Sequence, residues 1–181
     1  MLQDVTRLSG NIGRILDLAR IESKSFQGNF AETDLVAVVE TFCKTNRHLF
    51  PGCEIAVHNP SGKSFNYPVN GYLFEMLLMN LMTNAVKYNK SELPKVDIAF
   101  DRQKHNMRVK FEDNGIGIEK PQIKKIFRKF YQVGKYKDMT AKGSGLGLHL
   151  VQNIARIHKG KVIAESKGSG KGSVFTLILP I

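Results

Sequence analysis

Apolar positions in residues 70–89, NGYLFEMLLMNLMTNAVKYN, recur with the period of a helix. At ~100° per residue, Phe74, Leu77, Leu78, Leu81 and Ala85 share one arc, the stripe of a core-facing helix capped by Asn70. Asn80, Asn84, Lys87 and Tyr88 fall on the adjacent arc. A helix built only to pack would carry Leu or Ala there. Two amides, an ammonium and a ring beside the core therefore mark a candidate site, against the plainer alternative of a solvated edge.

Elsewhere the period is two. KVDIAFDR (95–102) and NMRVKFED (106–113) alternate apolar and polar residues, and Lys104-His105-Asn106 supplies a hairpin turn. CEIAVHN (53–59) reads as a strand and SFNYPV as a short extended piece. KVIAES (161–166) and SVFTLILP (173–180) are two closing strands joined by the turn KGSGKG. Helical spacing returns from a Thr33 or Asp34 cap through Leu35, Val38, Val39 and Phe42 to about Leu49. It returns again from Pro121 to Ile126, and in LGLHLVQNIARIHK, stopped by Gly160. Strand pairs that arrive as hairpins among interleaved helices predict a mixed sheet with helices on one face.

The opening stretch is different. Met1, Val5, Leu8, Ile12, Ile15 and Ala19 recur at 4, 3, 4, 3, 4, a heptad seam suited to a bundle or coiled coil. Gly10 and Gly13 weaken such a helix by ~1 kcal/mol each relative to Ala, so packing must hold it. The seam needs another copy of the chain, an upstream helix, or the chain's own domain. Gly28 is the expected stop.

At 181 residues the chain suits one domain plus an appendage, and 42% hydrophobic residues suffice for a core. No apolar run approaches the ~18 residues of a membrane span and no signal peptide opens the chain, so an anchor would lie outside it. Cys43 and Cys53 sit in no metal spacing and read as small buried thiols in a reducing compartment. The net charge is +11, and Lys120, Lys124, Lys125, Arg128, Lys129, Lys135, Lys137 and Lys142 fall within 23 residues. Such a cluster fits nucleic acid, a nucleoside triphosphate or solvated surface. No RNA-binding signature, helix-turn-helix pattern or zinc spacing accompanies it, so nucleic acid is not the expected partner.

NLMTNAVKY, DNGIGI, IFRKFY and GSGLGL, in that order, resemble the N, first glycine, F and second glycine boxes of sensor histidine kinases. That family shares a nucleotide-binding superfamily with DNA gyrase and certain heat-shock chaperones. One short glycine motif would carry little, whereas four in order are specific. The resemblance covers residues 33–181 as a catalytic ATP-binding domain, with Gly172-Ser173-Val174-Phe175 similar to the family's closing stretch. Residues 1–28, whose opening heptad helix ends in a DLARIES run, resemble part of the second helix of the dimerisation and phosphotransfer hairpin. The implied fold is an α+β two-layer sandwich of the Bergerat ATP-binding type, a mixed sheet covered by helices on one face and preceded by a bundle helix.

The resemblance implies ATP and Mg2+ as ligands. Asn84 is implied as the metal ligand, since a neutral amide oxygen serves a hard cation without setting a carboxylate beside a triphosphate. Asn80, one turn earlier, would hold a metal-bound water or a phosphate, and Lys87 would neutralise phosphate; these two are the catalytic candidates. Tyr88 offers a ring face near the base or a plug at the helix end. Asp113 would accept from the exocyclic amine of adenine and offers nothing to the carbonyl of guanine. The alternative is a turn-capping Asp before Asn-Gly. Gly115 and Gly117 allow close backbone approach to the base, and Ile116 and Ile118 would line its slot. Gly143, Gly145 and Gly147, with Leu146 among them, lead into a helix start whose N–H groups suit phosphate oxygens. The 14 residues before this turn are the natural lid, anchored by Phe127 and Phe130. Lys129 stands where the family often has Arg, and Arg128 where an acidic residue is common. His149 reads as a packed helix residue.

The family's phosphoacceptor histidine precedes an acidic residue and a Thr-Pro or Ser-Pro pair, and none of His48, His58, His105, His149 or His158 has that context. The chain is expected to bind nucleotide as a cytoplasmic kinase fragment without forming phosphohistidine on itself. Its implied partners are its own dimerisation helices in a homodimer and a response regulator. The alternatives are a superfamily ATP hydrolase, and a basic nucleic-acid-binding or docking module. The hydrolases place Glu one turn before the metal Asn, and here that position is Asn80, a poor base.

Overall fold

Alternation sets the sheet. In β4 (Lys95–Arg102) and β5 (Asn106–Asp113), Val96, Ile98, Phe100, Met107, Val109 and Phe111 are buried while intervening positions face outward. A computed structural model describes residues 13, 19, 21–22, 28–133 and 144–181 of the chain. Before β4 come β1 (Ala31–Asp34), α1 (Leu35–Thr45), a 3-10 turn (Arg47–Leu49), β2 (Glu54–His58), β3 (Asn66–Val69) and α2 (Gly71–Lys87). After β5 come α3 (Lys120–Ile123), α4 (Gly147–Ile157), β6 (Lys161–Glu165) and β7 (Ser173–Pro180).

Five strands form one sheet in the order β2-β4-β5-β7-β6. β2 runs parallel to β4 and the other pairs are antiparallel, so the sheet is mixed as the hairpin pattern predicts. Register aligns Ile98 with Phe111, Phe111 with Phe175, and Phe175 with Ala164, which concentrates the apolar rows on one face. Helices α1, α2 and α4 supply the opposing layer through Val39, Phe42, Phe74, Leu77, Leu81, Leu150 and Ile154. The fold is an α+β sandwich. The β5–β7 register also pairs Asp113 with Ser173, which places the end of the chain beside the first glycine box.

Asn70 caps α2 as its sequence predicts, its Oδ1 accepting from Leu73 N at 3.1 Å. Asp34 caps α1 through Val36 N, but Ala31–Asp34 is also a strand, paired with β3 in a separate two-stranded sheet. Four residues are too few to show a period, so β1 was not foreseen. At the end of α4 the left-handed residue is Lys159 (φ 58°) rather than Gly160. Gly160 is needed for space, since a Cβ there would stand 2.4 Å from Ile178 O. The heptad helix lies largely outside the described residues; Gly13, Ala19, Ile21 and Glu22 are helical. Cys43 and Cys53 are free, Cys53 buried and Cys43 partly so, with the Cys43 thiol pushed up by burial to about 11.

Candidate nucleotide site

The C-terminal half of α2 is the spine of the site. Tyr88 closes it, and the Tyr88 carbonyl accepts from Ile116 N at 2.9 Å, tying the first glycine box to the helix end. Gly115 is required there, because a Cβ would lie 2.5 Å from Tyr88 O and 2.8 Å from Asp113 Oδ1. About 12 Å back along the helix, Asn80 meets the second glycine box. A Cβ built on Gly147 would stand 2.8 Å from Asn80 Oδ1 and 4.0 Å from Asn84 Nδ2. Asp113, at the end of β5, thus stands by Gly115 at the C-terminal end of α2, and Gly147 abuts Asn80 and Asn84 farther back along the same helix.

Asp113 is held from three directions. Gly115 N donates to Oδ1 at 2.8 Å, Ser173 N to Oδ1 at 3.3 Å, and Ser173 Oγ to Oδ2 at 2.6 Å. The carboxylate does serve the turn before Asn-Gly, yet the Ser173 contacts hold it from β7 as well, so it is more than a local cap. Gly117 adopts φ +71°, and a Cβ there would fall 2.1 Å from Gly168 O. Gly170 N donates to Ile116 O, Gly172 N to Gly115 O, and Ile118 N to Ser166 Oγ, which in turn donates to Gly172 O. The sequence pattern predicts a plain hairpin turn at KGSGKG, residues 167–172. They form a second layer under the first glycine box, and the signal was present as glycines at 168, 170 and 172.

At the other end, Asn80 Nδ2 donates to Met76 O at 2.7 Å, which leaves Oδ1 as the outward acceptor. Among the described residues the Asn84 side-chain amide has no hydrogen-bond partner, so its oxygen is available as a donor atom for a hard cation. Lys87 Nζ lies 5.0 Å from the centre of the Tyr88 ring, and that ring is 39% exposed. Helix α4 begins without a side-chain cap and without an acidic residue in its first turn, leaving its first N–H groups for an anion.

Two expectations change. The Phe130 side chain does not anchor a loop: it is 66% exposed, its φ is +61°, and its backbone N–H donates to Gly145 O at 3.0 Å. Phe127 is the anchor, packed edge-on to Phe175 at 6.5 Å. The Leu146 side chain belongs to the core, so only its backbone is available to a ligand. Gly143 and residues 134–142 of the expected lid lie outside the described residues. Ile118 packs against the core while Ile116 is more open.

The family described as "Histidine kinase-, DNA gyrase B-, and HSP90-like ATPase" matches residues 71–181. The sensor-like histidine kinase SenX3 of Mycolicibacterium smegmatis is 26% identical over 182 residues, covering 99% of this chain and 46% of SenX3. The sensor protein RprX of Bacteroides fragilis is 40% identical over 109 residues, 58% of this chain and 20% of RprX. Full-length ShkA, solved with AMPPNP, superposes with a TM-score of 0.79 at 20% identity, covering 96% of this chain and 35% of ShkA, which shows the shared fold. This chain spans less than half the length of these relatives. The chain belongs to the histidine kinase-, DNA gyrase B- and HSP90-like ATPase family, as an ATP-binding catalytic domain of the sensor histidine kinase kind.

Proposed function

We propose that this domain binds ATP with magnesium and presents the γ-phosphoryl group to a histidine outside the chain, for relay to an aspartate of a response regulator. The observation that carries this reading is the arrangement of Asp113, Asn84, Asn80 and Gly147 along α2. In it, Asp113 would take the exocyclic amine of adenine, and the uncapped start of α4 would meet the phosphates. Lys87 neutralises phosphate charge, and Asn80 orients a phosphate or a metal-bound water. Asn84 would hold Mg2+, which would supply charge neutralisation at the phosphates. Catalysis of this kind is positioning and charge neutralisation, and asks for no general base in the domain.

Two histidines in the domain are already engaged. His158 is 2% exposed, donates through Nδ1 to Ile154 O at 2.8 Å and accepts from Asn70 N at 3.1 Å. His149 faces Phe127 O and Glu22. With these two engaged, the proposed acceptor lies on dimerisation helices, which a homodimer would supply. No helix among the described residues is long and apolar enough to cross a membrane. Hydrolysis is disfavoured because Asn80 cannot activate water.

Calorimetric titration with a non-hydrolysable ATP analogue, with and without magnesium, tests the reading. Saturable single-site binding that magnesium strengthens is expected, and absence of binding in both conditions contradicts it.

A further inference from the structure

Outside the nucleotide site, one carboxylate joins three segments. Glu22 belongs to the helical residues ahead of the domain, and Ile21 beside it is 7% exposed within the core. Glu22 Oε2 accepts from Lys129 Nζ at 2.8 Å. Oε1 lies 3.1 Å from His149 Nε2 and 3.3 Å from Asn153 Nδ2. Lys129 precedes Phe130, whereas His149 and Asn153 occupy the first two turns of α4. The same two segments meet again where Phe130 N donates to Gly145 O. The Lys129 hydrogen bond, followed by that of His149, holds the Glu22 carboxyl below its ordinary range.

The hydrogen count at His149 is informative. Nδ1 lies 3.1 Å from Phe127 O, an acceptor, so Nδ1 carries a proton. Nε2 lies 3.2 Å from the Asn153 amide nitrogen and 3.1 Å from Glu22 Oε1. The charged groups around the imidazole are Glu22, Lys129 through the shared carboxylate, and Arg156, whose Nη1 is 3.5 Å from Asn153 Oδ1.

We propose that Glu22 is a positioning residue, a clamp that draws α4 against the segment 127–130. It thereby sets Gly147 against Asn80 and Asn84. A lone exposed ion pair would contribute little, but one carboxylate shared by three donors and anchored by buried Ile21 fixes a geometry. The helix ahead of the domain thereby influences the phosphate end of the site, a consequence that rests on the ATP reading, while the clamp itself does not.

Amide hydrogen exchange on the full chain without nucleotide, corrected for intrinsic rates, compares the parent protein with Glu22→Gln at pH 6. The variant is expected to exchange about threefold faster in residues 127–131 and 146–151, with no change in the β4–β5 hairpin. Its affinity for an ATP analogue at pH 6 falls by a similar factor. Equal exchange in the two proteins, or a gap that is spread over the whole sheet, overturns the clamp. If neither protein binds the analogue, the nucleotide reading fails, and the exchange result still decides the clamp.

Discussion

Ser173 Oγ donates to Asp113 Oδ2 at 2.6 Å across the β5–β7 pair, and the backbone N–H of the same serine reaches Oδ1 at 3.3 Å. The group expected to choose the base is therefore aimed by a residue 60 positions later in the chain. A carboxylate free to rotate would spread its acceptor directions, whereas this one is fixed before ligand arrives. Removing the hydroxyl should loosen that aim. Ser173→Ala is expected to bind an ATP analogue about tenfold more weakly, the loss of one hydrogen bond to a charged group, while Ser173→Thr retains affinity. Calorimetry on the two variants checks it.

Gly172 bears on stability rather than on affinity alone. Its φ is +64°, and a Cβ there would fall 1.9 Å from Asp113 O. Backbone cannot yield as a flexible side chain does. Gly172→Ala is expected to lower stability by about 3 kcal/mol or more, read as a lower urea midpoint, because it combines a left-handed conformation with overpacking. An unchanged midpoint would show that the loop relaxes freely.

Asn84 and Asp113 act at different ends of the proposed ligand, so their variants should separate. Asn84→Ala is expected to lose most of the magnesium enhancement of ATP binding and keep its preference for adenine over guanine. Titrations across magnesium concentrations measure both effects in one series.

His158 joins α4 to the N-cap of α2. Its neutral ring is complete, with Nδ1 donating to Ile154 O and Nε2 accepting from Asn70 N, and burial pushes its pKa below the ordinary value of 6.5. The unfolded chain therefore binds this proton more readily than the folded one. The contribution is fully present above about pH 6.5 and is lost as pH falls from there toward the lowered folded value, at no more than about 1.4 kcal/mol per pH unit. Urea denaturation between pH 5 and pH 8 should show a steeper acid-side loss for the parent than for His158→Gln.

Long periodic elements were legible: α2 with its Asn70 cap, the β4–β5 hairpin and β7 all follow from alternation or helical spacing that many residues share. β1 escaped because its four residues gain their strand geometry from β3. The site residues on α2 and in the glycine boxes were legible because each box is short and local. Ser173 and Ser166 were not, since their role appears only when β7 pairs with β5 and folds the 166–172 loop under Gly115. Phe130 misled because an aromatic residue in an apolar context usually packs, whereas here a left-handed backbone turns it outward.

The most direct test of the account is base selectivity. Calorimetric titration of the intact chain with non-hydrolysable ATP and GTP analogues, both with magnesium, should show ATP binding on the order of a hundredfold tighter, because a fixed carboxylate at 113 leaves the guanine carbonyl unpaired. Asp113→Asn should narrow that gap. Equal affinity for the two analogues in the parent chain would contradict the assignment of Asp113 to the base.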